Sequence, residues 1–192
     1  MKRILAILLV VILSIALVSC KEEPVSHNDN PDGAKTETKA LEEDMDIIIR
    51  TLIEQNLDCY FLFYVSPLEH TDQQNSDGYY GTSQNIFKSY DELEELVTST
   101  YTKEKSEELL KYPTKEMPLY KEVEGLIFVY PSVIEPVDYD IIWDSYDVKP
   151  TKVSDKEYTF TAKTVDLDGK EYETEGKVVK EDEKWRLDDI VY

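Results

Sequence analysis

Apolar residues follow three regimes along the chain. They are almost unbroken from Ile4 to Val18, nearly vanish between Lys21 and Lys39, and recur with regular spacing from Leu41 onward. Leu41, Met45, Ile48, Ile49, Leu52 and Ile53 repeat at the three-and-four interval of a helix that buries one face. Glu42, Glu43 and Asp44 crowd its first turn, where carboxylates interact favourably with the helix dipole. The next segment, CYFLFYV at 59–65, has no period, and the favoured reading continues the helix through it into the core until Pro67 closes it. Residues 69–85 have the composition of an exposed loop, with room for a short hairpin through Gly78-Tyr79-Tyr80-Gly81. Ser89 and Glu92 have the spacing of a capping box, opening a second helix to about Ser99 with Tyr90, Leu93, Leu96 and Val97 as its buried stripe. Thr102 caps a third helix through Leu109 and Leu110, which Pro113 stops.

Beyond Pro118 the period falls to two. LYKEV, LIFVY, YDIIWDSYDV, EYTFTAKTV, EYETEGKVV and KWRLDDIVY read as strands, separated by turn signals at Glu124-Gly125, Pro136, Lys149-Pro150, Ser154-Asp155, Asp168-Gly169 and Asp182-Glu183. Short connections imply an antiparallel meander. One register can be fixed in advance. If Tyr158, Phe160 and Ala162 share the core face with Tyr172, Thr174 and Val178, opposed residue numbers must sum to an even value, which excludes a two-residue turn at Asp168-Gly169. A three-residue loop Leu167-Asp168-Gly169 with Gly169 left-handed satisfies the condition and sets Lys163 against Glu173 on the outer face. The expected class is α+β, with N-terminal helices packed on a curved antiparallel sheet.

The first regime changes what lies outside that domain. Met1-Lys2-Arg3, a short apolar run and an abrupt polar turn at Lys21 have the layout of an export signal, too short to span a bilayer comfortably. Leu17-Val18-Ser19-Cys20 resembles the bacterial lipobox, which implies cleavage before Cys20 and a diacylglycerol on its sulfur. Two or three acyl chains of the palmitate type hold a protein firmly where one does not. The expected organisation is a signal peptide over 1–19, the lipidated Cys20 and a disordered tether over 20–39, and a folded domain over 40–192. The tether reaches roughly 25 Å as a coil, so the domain works close to the outer leaflet of the cell membrane.

Charge narrows the choice of partner. The chain has 21 Lys and Arg against 41 Asp and Glu, a net −20, and loss of Lys2 and Arg3 with the signal leaves 19 against 41, or −22. Nucleic acid and anionic headgroups are repelled by such a surface, while basic proteins are steered to it. Lipidation consumes one of the two cysteines, so Cys59 has no intrachain disulfide partner.

The usual catalytic constellations are missing. No G-x-S-x-G, H-E-x-x-H or Gly-rich phosphate loop occurs, and the histidines are His27, in the tether, and His70. Cys59 with His70 is the one nucleophile and base pairing to consider, but a thiol inside an apolar run is usually an inert packing group. Thr164, Asp166, Asp168, Gly169 and Glu175 echo an EF-hand, yet Thr164 stands where Asp is needed and strands replace the two helices, so a plain hairpin without metal is expected. Neither a metal nor a cofactor is expected.

FKSYDELEELVTSTYTKEKSEELL (87–110), PLYKEVEGLIFVY (118–130) and EDEKWRLDDIVY (181–192), in the order helix, helix, sheet, resemble the NTF2-like superfamily and, within it, proteins of the IseA type. The resemblance implies an NTF2-like or cystatin-like cone and inhibition of peptidoglycan D,L-endopeptidases. It departs from a simply secreted inhibitor in having a lipobox, and DIIWDSYD matches no inhibitory loop.

The function expected is therefore a non-catalytic, monomeric, lipid-anchored domain that restrains a basic cell-wall hydrolase by covering its cleft with a loop at 69–85 or 131–147. Lys-, Glu- and Ile-rich usage points to a Gram-positive source. Partner-binding candidates are Tyr79 and Tyr80, as exposed aromatic anchors, and Glu171, Glu173 and Glu175, as an acidic stripe on one strand face. The rival is a small-ligand pocket or enzyme inside the cone. An interior carboxylate near Tyr139, Trp143 or Trp185 favours the rival, whereas a filled apolar interior favours binding through the outer surface.

Overall fold

The computed structural model describes residues 44–83, 86–111, 117–131, 137 and 139–192. The export signal, Cys20, the tether and Leu41, Glu42 and Glu43 of the expected first helix lie outside the described residues, as do Pro113 and the whole segment 132–136, including Pro136.

Helix α1 (Met45–Tyr60) begins at Asp44, whose carboxylate accepts from the Ile47 amide at 3.5 Å. Its apolar stripe is buried as the spacing predicts, with Ile49 and Ile53 wholly enclosed. Each such side chain contributes roughly 1.5–3 kcal/mol. The helix continues beyond Tyr60, as expected, but in a wider form: Phe61–Val65 is a π turn, closed by Ser66 N donating to Phe61 O at 2.8 Å. Helix α2 (Tyr90–Thr100) has the expected cap, Ser89 Oγ accepting from Glu92 N at 3.4 Å. Glu92 reaches back one residue further than a capping box requires, accepting from Lys88 N at 2.7 Å. Helix α3 (Lys103–Lys111) follows after Tyr101 and the capping Thr102, whose hydroxyl accepts from Lys105 N at 3.5 Å.

Among the described residues, eight strands form two four-stranded antiparallel sheets rather than one meander. The first, in the order β1-β2-β4-β3, contains β1 (His70–Gln74), β2 (Tyr80–Thr82), β3 (Tyr120–Val123) and β4 (Leu126–Val129). The polar 69–85 segment does form a hairpin, and β2 pairs with the free edge of β4, Tyr80 opposite Val129 and Gly81 opposite Phe128. The β3–β4 hairpin thus belongs to a different sheet from the strands that follow. The second sheet runs in chain order: β5 (Ile141–Ser154), β6 (Glu157–Asp166), β7 (Glu171–Glu181) and β8 (Lys184–Leu187).

Lys149-Pro150 is not a turn. Strand β5 passes straight through it, with Pro150 opposite Phe160. The strand lies at the sheet edge, so proline's missing N–H removes no ladder bond on the open side. The β6–β7 hairpin has the expected register, Tyr158 opposite Val178 and Lys163 opposite Glu173, closed by Leu167-Asp168-Gly169 with Gly169 at φ +78°. The Asp166 carboxylate closes that turn, accepting from Asp168 N at 3.0 Å and Lys170 N at 2.9 Å.

The fold contains a curved antiparallel sheet, and the second sheet is irregular in β5. Pairing jumps from Ile142–Val165 to Asp147–Lys163, so Trp143, Asp144, Ser145 and Tyr146 face Thr164 alone. The Thr164 hydroxyl fills the gap, directed at the carbonyls of Ile142 and Ser145. Bulges of this kind bend a strand and redirect its side chains.

One buried polar group ties the helices to the end of the chain. Asn56, fully enclosed, donates to Val191 O at 2.5 Å, accepts from Val191 N at 2.9 Å and accepts from the Tyr101 hydroxyl at 2.9 Å. Thr102 N donates to Leu187 O at 2.8 Å beside it. The α2–α3 corner, β8 and the C-terminal segment are thereby held at fixed positions against α1, which sets the surfaces described next.

Candidate functional site

Alternation along β7 places Glu171, Glu173 and Glu175 on the exposed face and Tyr172 and Thr174 inward, so the acidic stripe exists as expected. Glu173 is ion-paired with Lys163 across the strand pair. That hydrogen bond raises the Lys163 ammonium above its ordinary value. The β5 bulge opens a surface hollow of about 530 Å³ beside the stripe, lined by Tyr146, Asp147, Lys163, Glu171, Tyr172 and Glu173 among others. Three carboxylates and one ammonium face this hollow. It suits a cationic side chain more than an anion.

The tyrosine pair is divided by the fold. Tyr79 is only 2% exposed, its hydroxyl donates to Pro118 O at 2.8 Å, and Lys121 lies over its ring at 5.5 Å. The expectation of an exposed anchor fails for this residue: the hairpin turn held by Asn75 directs Tyr79 under the first sheet, with Asn75 Oδ1 accepting from Tyr79 N at 3.0 Å. Tyr80 is half-buried and packs on His70 at 4.6 Å, leaving it a partial surface role.

Cys59 and His70 do not form a nucleophile and base. Cys59 lies on the buried face of α1, where burial pushes its thiol up to about 12, and His70 stands on the exposed strand β1. Its nucleophilic thiolate is therefore scarcely populated near neutrality.

Two further surfaces were not foreseen. A groove of about 470 Å³ runs between α2, α3 and the β7–β8 turn, floored by Tyr101 and Ser106. Arg186 lies in its wall, donating to Thr98 O and Trp185 O, each at 2.9 Å, and burial lowers its guanidinium from the ordinary value. The second is aromatic. Tyr60 stacks on Tyr64 at 5.5 Å and on Tyr192 at 4.9 Å, lies 6.0 Å from Tyr139, and Phe61 meets Tyr139 edge-on at 4.5 Å. Four tyrosines and a phenylalanine thus come together from the end of α1, the approach to β5 and the last residue. The four-residue spacing of Tyr60 and Tyr64 was the one visible signal of this cluster.

No protein-family model matches this sequence, and no curated protein matches it.

Proposed function

We propose that the chain is a lipid-anchored, extracytoplasmic binding domain that restrains a basic cell-wall hydrolase, of the D,L-endopeptidase class, through its acidic outer face. The observation that carries this reading is the interior. Among the described residues the buried polar side chains are Asn56, Thr100, Thr102, Ser106 and Thr164, with no carboxylate, and the space between helices and sheets is filled by groups such as Ile49, Leu93, Val97, Val178 and Leu187. A filled apolar interior directs binding to the outside. There the bulge hollow with Glu171, Glu173 and Asp147 offers carboxylates to a lysine or arginine of the partner.

Helices leading into a curved sheet are compatible with an NTF2-like cone, and the IseA resemblance supplies the partner class; both belong to this proposal. So do cleavage before Cys20 and its acylation. Cys20→Ala should move the protein from the membrane fraction to the soluble fraction in a detergent-partition assay, and unchanged partitioning would refute acylation.

The functional test is peptidoglycan digestion by a purified D,L-endopeptidase catalytic domain, with and without the purified chain. Inhibition at micromolar excess in low salt is expected, and its weakening by Glu171→Lys, Glu173→Lys and Glu175→Lys together. Full digestion at that excess, across several endopeptidases of the same source, would sink the reading.

A further inference from the structure

We propose that the hollow walled by Tyr60, Tyr64 and Tyr192 is a saccharide-binding site. Its volume is about 380 Å³, within the range of small-molecule pockets, and its remaining lining is Lys105, Val137, Asp189 and Ile190. Two of its properties point to the same ligand class.

The first is the wall. Tyr64 and Tyr192 lie nearly parallel to Tyr60, at interplanar angles of 18° and 11°; Tyr60 is only 4% exposed, so the accessible ring surface is that of Tyr192, 56% exposed, and half-buried Tyr64. Phe61 and Val137, 39% and 40% exposed, extend the apolar surface. Flat, rigid rings with hydroxyls at their edges offer contact area at low entropic cost together with hydrogen-bonding tips. A sugar ring, with C–H groups on one face and hydroxyls around its rim, has the complementary distribution.

The second is the polar side. Lys105 Nζ bridges Asp189 at 2.7 Å and Glu108 at 3.2 Å. Lys105 and Asp189 set a donor beside an acceptor at the mouth of the hollow, the combination that adjacent hydroxyls satisfy. These two lining charges cancel, in a chain whose net charge is −20. Lys105 is already paired with Asp189 and Glu108, so the polar side offers hydrogen-bonding atoms rather than a free charge, and a neutral polyol meets it better than an ion does. Burial raises the Tyr60 and Tyr64 phenols, so both remain hydrogen-bond donors throughout the neutral range. The π turn at Phe61–Val65 belongs to the same wall, and π turns inside helices are frequent at functional sites.

This site shares no lining residue with the proposed hydrolase contact, although Tyr172 of the bulge hollow donates its hydroxyl to Tyr192 O. The test uses the purified chain and three soluble trisaccharides, chitotriose, cellotriose and maltotriose, followed by calorimetry and by saturation transfer from the tyrosine ring protons. At least one should bind with a dissociation constant of about 1 mM or tighter. Tyr192→Ala should weaken that binding about tenfold and Tyr192→Phe should retain it, because the ring face carries the contact. Asp189→Asn should weaken it several-fold while leaving the aromatic saturation pattern. Thermal unfolding of each variant separates lost binding from lost fold, and Tyr64→Ala replaces Tyr192→Ala if the latter unfolds. The proposal is overturned if none of the three sugars binds at about 10 mM. It is equally overturned if folded ring-deleted variants bind as the wild type does, or if a proline-rich decapeptide occupies these tyrosines and no sugar does.

Discussion

Gly176 is constrained by a single side chain. A methyl group there would sit 2.3 Å from Phe160 Cζ, because Phe160 stands directly across the strand pair and lays its ring over the glycine. Gly176→Ala should cost about 1–3 kcal/mol in urea denaturation. In a Phe160→Leu background the added cost should shrink by about 1 kcal/mol or more, and additive losses would show that the ring is not the obstacle. The Lys105–Asp189 pair makes a second residue-level prediction. Burial is the largest single influence and opposes the charge on both groups, but the surrounding hydrogen bonds and charges together exceed it, from Lys105 and the Ile190 amide on Asp189 and from Asp189 and Glu108 on Lys105, holding Asp189 below the usual carboxylate range and Lys105 above the usual amine value. A depressed carboxylate contributes stability above its unfolded value of about 3.9 and loses it as pH falls through the lower folded value. Asp189→Asn should therefore be less stable than wild type from about pH 5 to 8, and the two urea midpoints should converge toward pH 2. A constant gap across that range would show that the carboxylate charge contributes nothing. At the alkaline end the raised Lys105 acts in the opposite sense, its contribution being present below the ordinary lysine value and lost as pH rises through the folded one.

At the scale of elements, the hairpins differ in how well their residues suit their turns. The β3–β4 turn uses Glu124-Gly125 at φ +53° and +80°, and β6–β7 uses Gly169 at +78°, so glycine supplies left-handed backbone in each. The β7–β8 turn has no glycine: Asp182 and Glu183 are both left-handed, at +47° and +62°. Replacing them by Asn-Gly, the pair preferred where both central residues are left-handed, should stabilise the domain by about 1 kcal/mol. Measured chemical denaturation showing no gain would mean that contacts of Asp182 or Glu183 offset the backbone strain. The same elements separate what could be read from what could not. The β6–β7 register was legible because alternating Tyr158, Phe160 and Ala162 had to meet Tyr172, Thr174 and Val178, a parity that excluded a two-residue loop and that a three-residue loop met. Lys149-Pro150 misled because proline signals a break only where its missing N–H is needed, and whether β5 lay at an edge is decided by the other strands.

For the molecule as a whole, the net charge of −20 sets the range and sign of its interactions. Exposed carboxylates act mainly on encounter, so reversing Glu171, Glu173 and Glu175 should slow association with a basic hydrolase more than it speeds dissociation. The inhibition itself should fade as salt shortens the screening length from about 10 Å at 0.1 M to about 3 Å at 1 M. Stopped-flow or surface-binding kinetics at two salt concentrations reads both effects. An association rate indifferent to salt would remove the acidic face from the encounter.

Local signals determined the three helices, their caps, the centres of the later strands, though not the run of β5 through Pro150 or the end of β8 at Leu187, and the exposed glutamate stripe, since each depends on periodicity or on residues a few positions apart. Tertiary structure decided the rest. Division of the strands into two sheets depended on β2 taking the edge of β4, the burial of Tyr79 on where that hairpin landed, and the aromatic wall on bringing Tyr60, Tyr139 and Tyr192 together from distant parts of the chain. Contacts of that kind arise from pairing and packing between segments that share no local pattern, and period and spacing carry no record of which distant segment will be the neighbour.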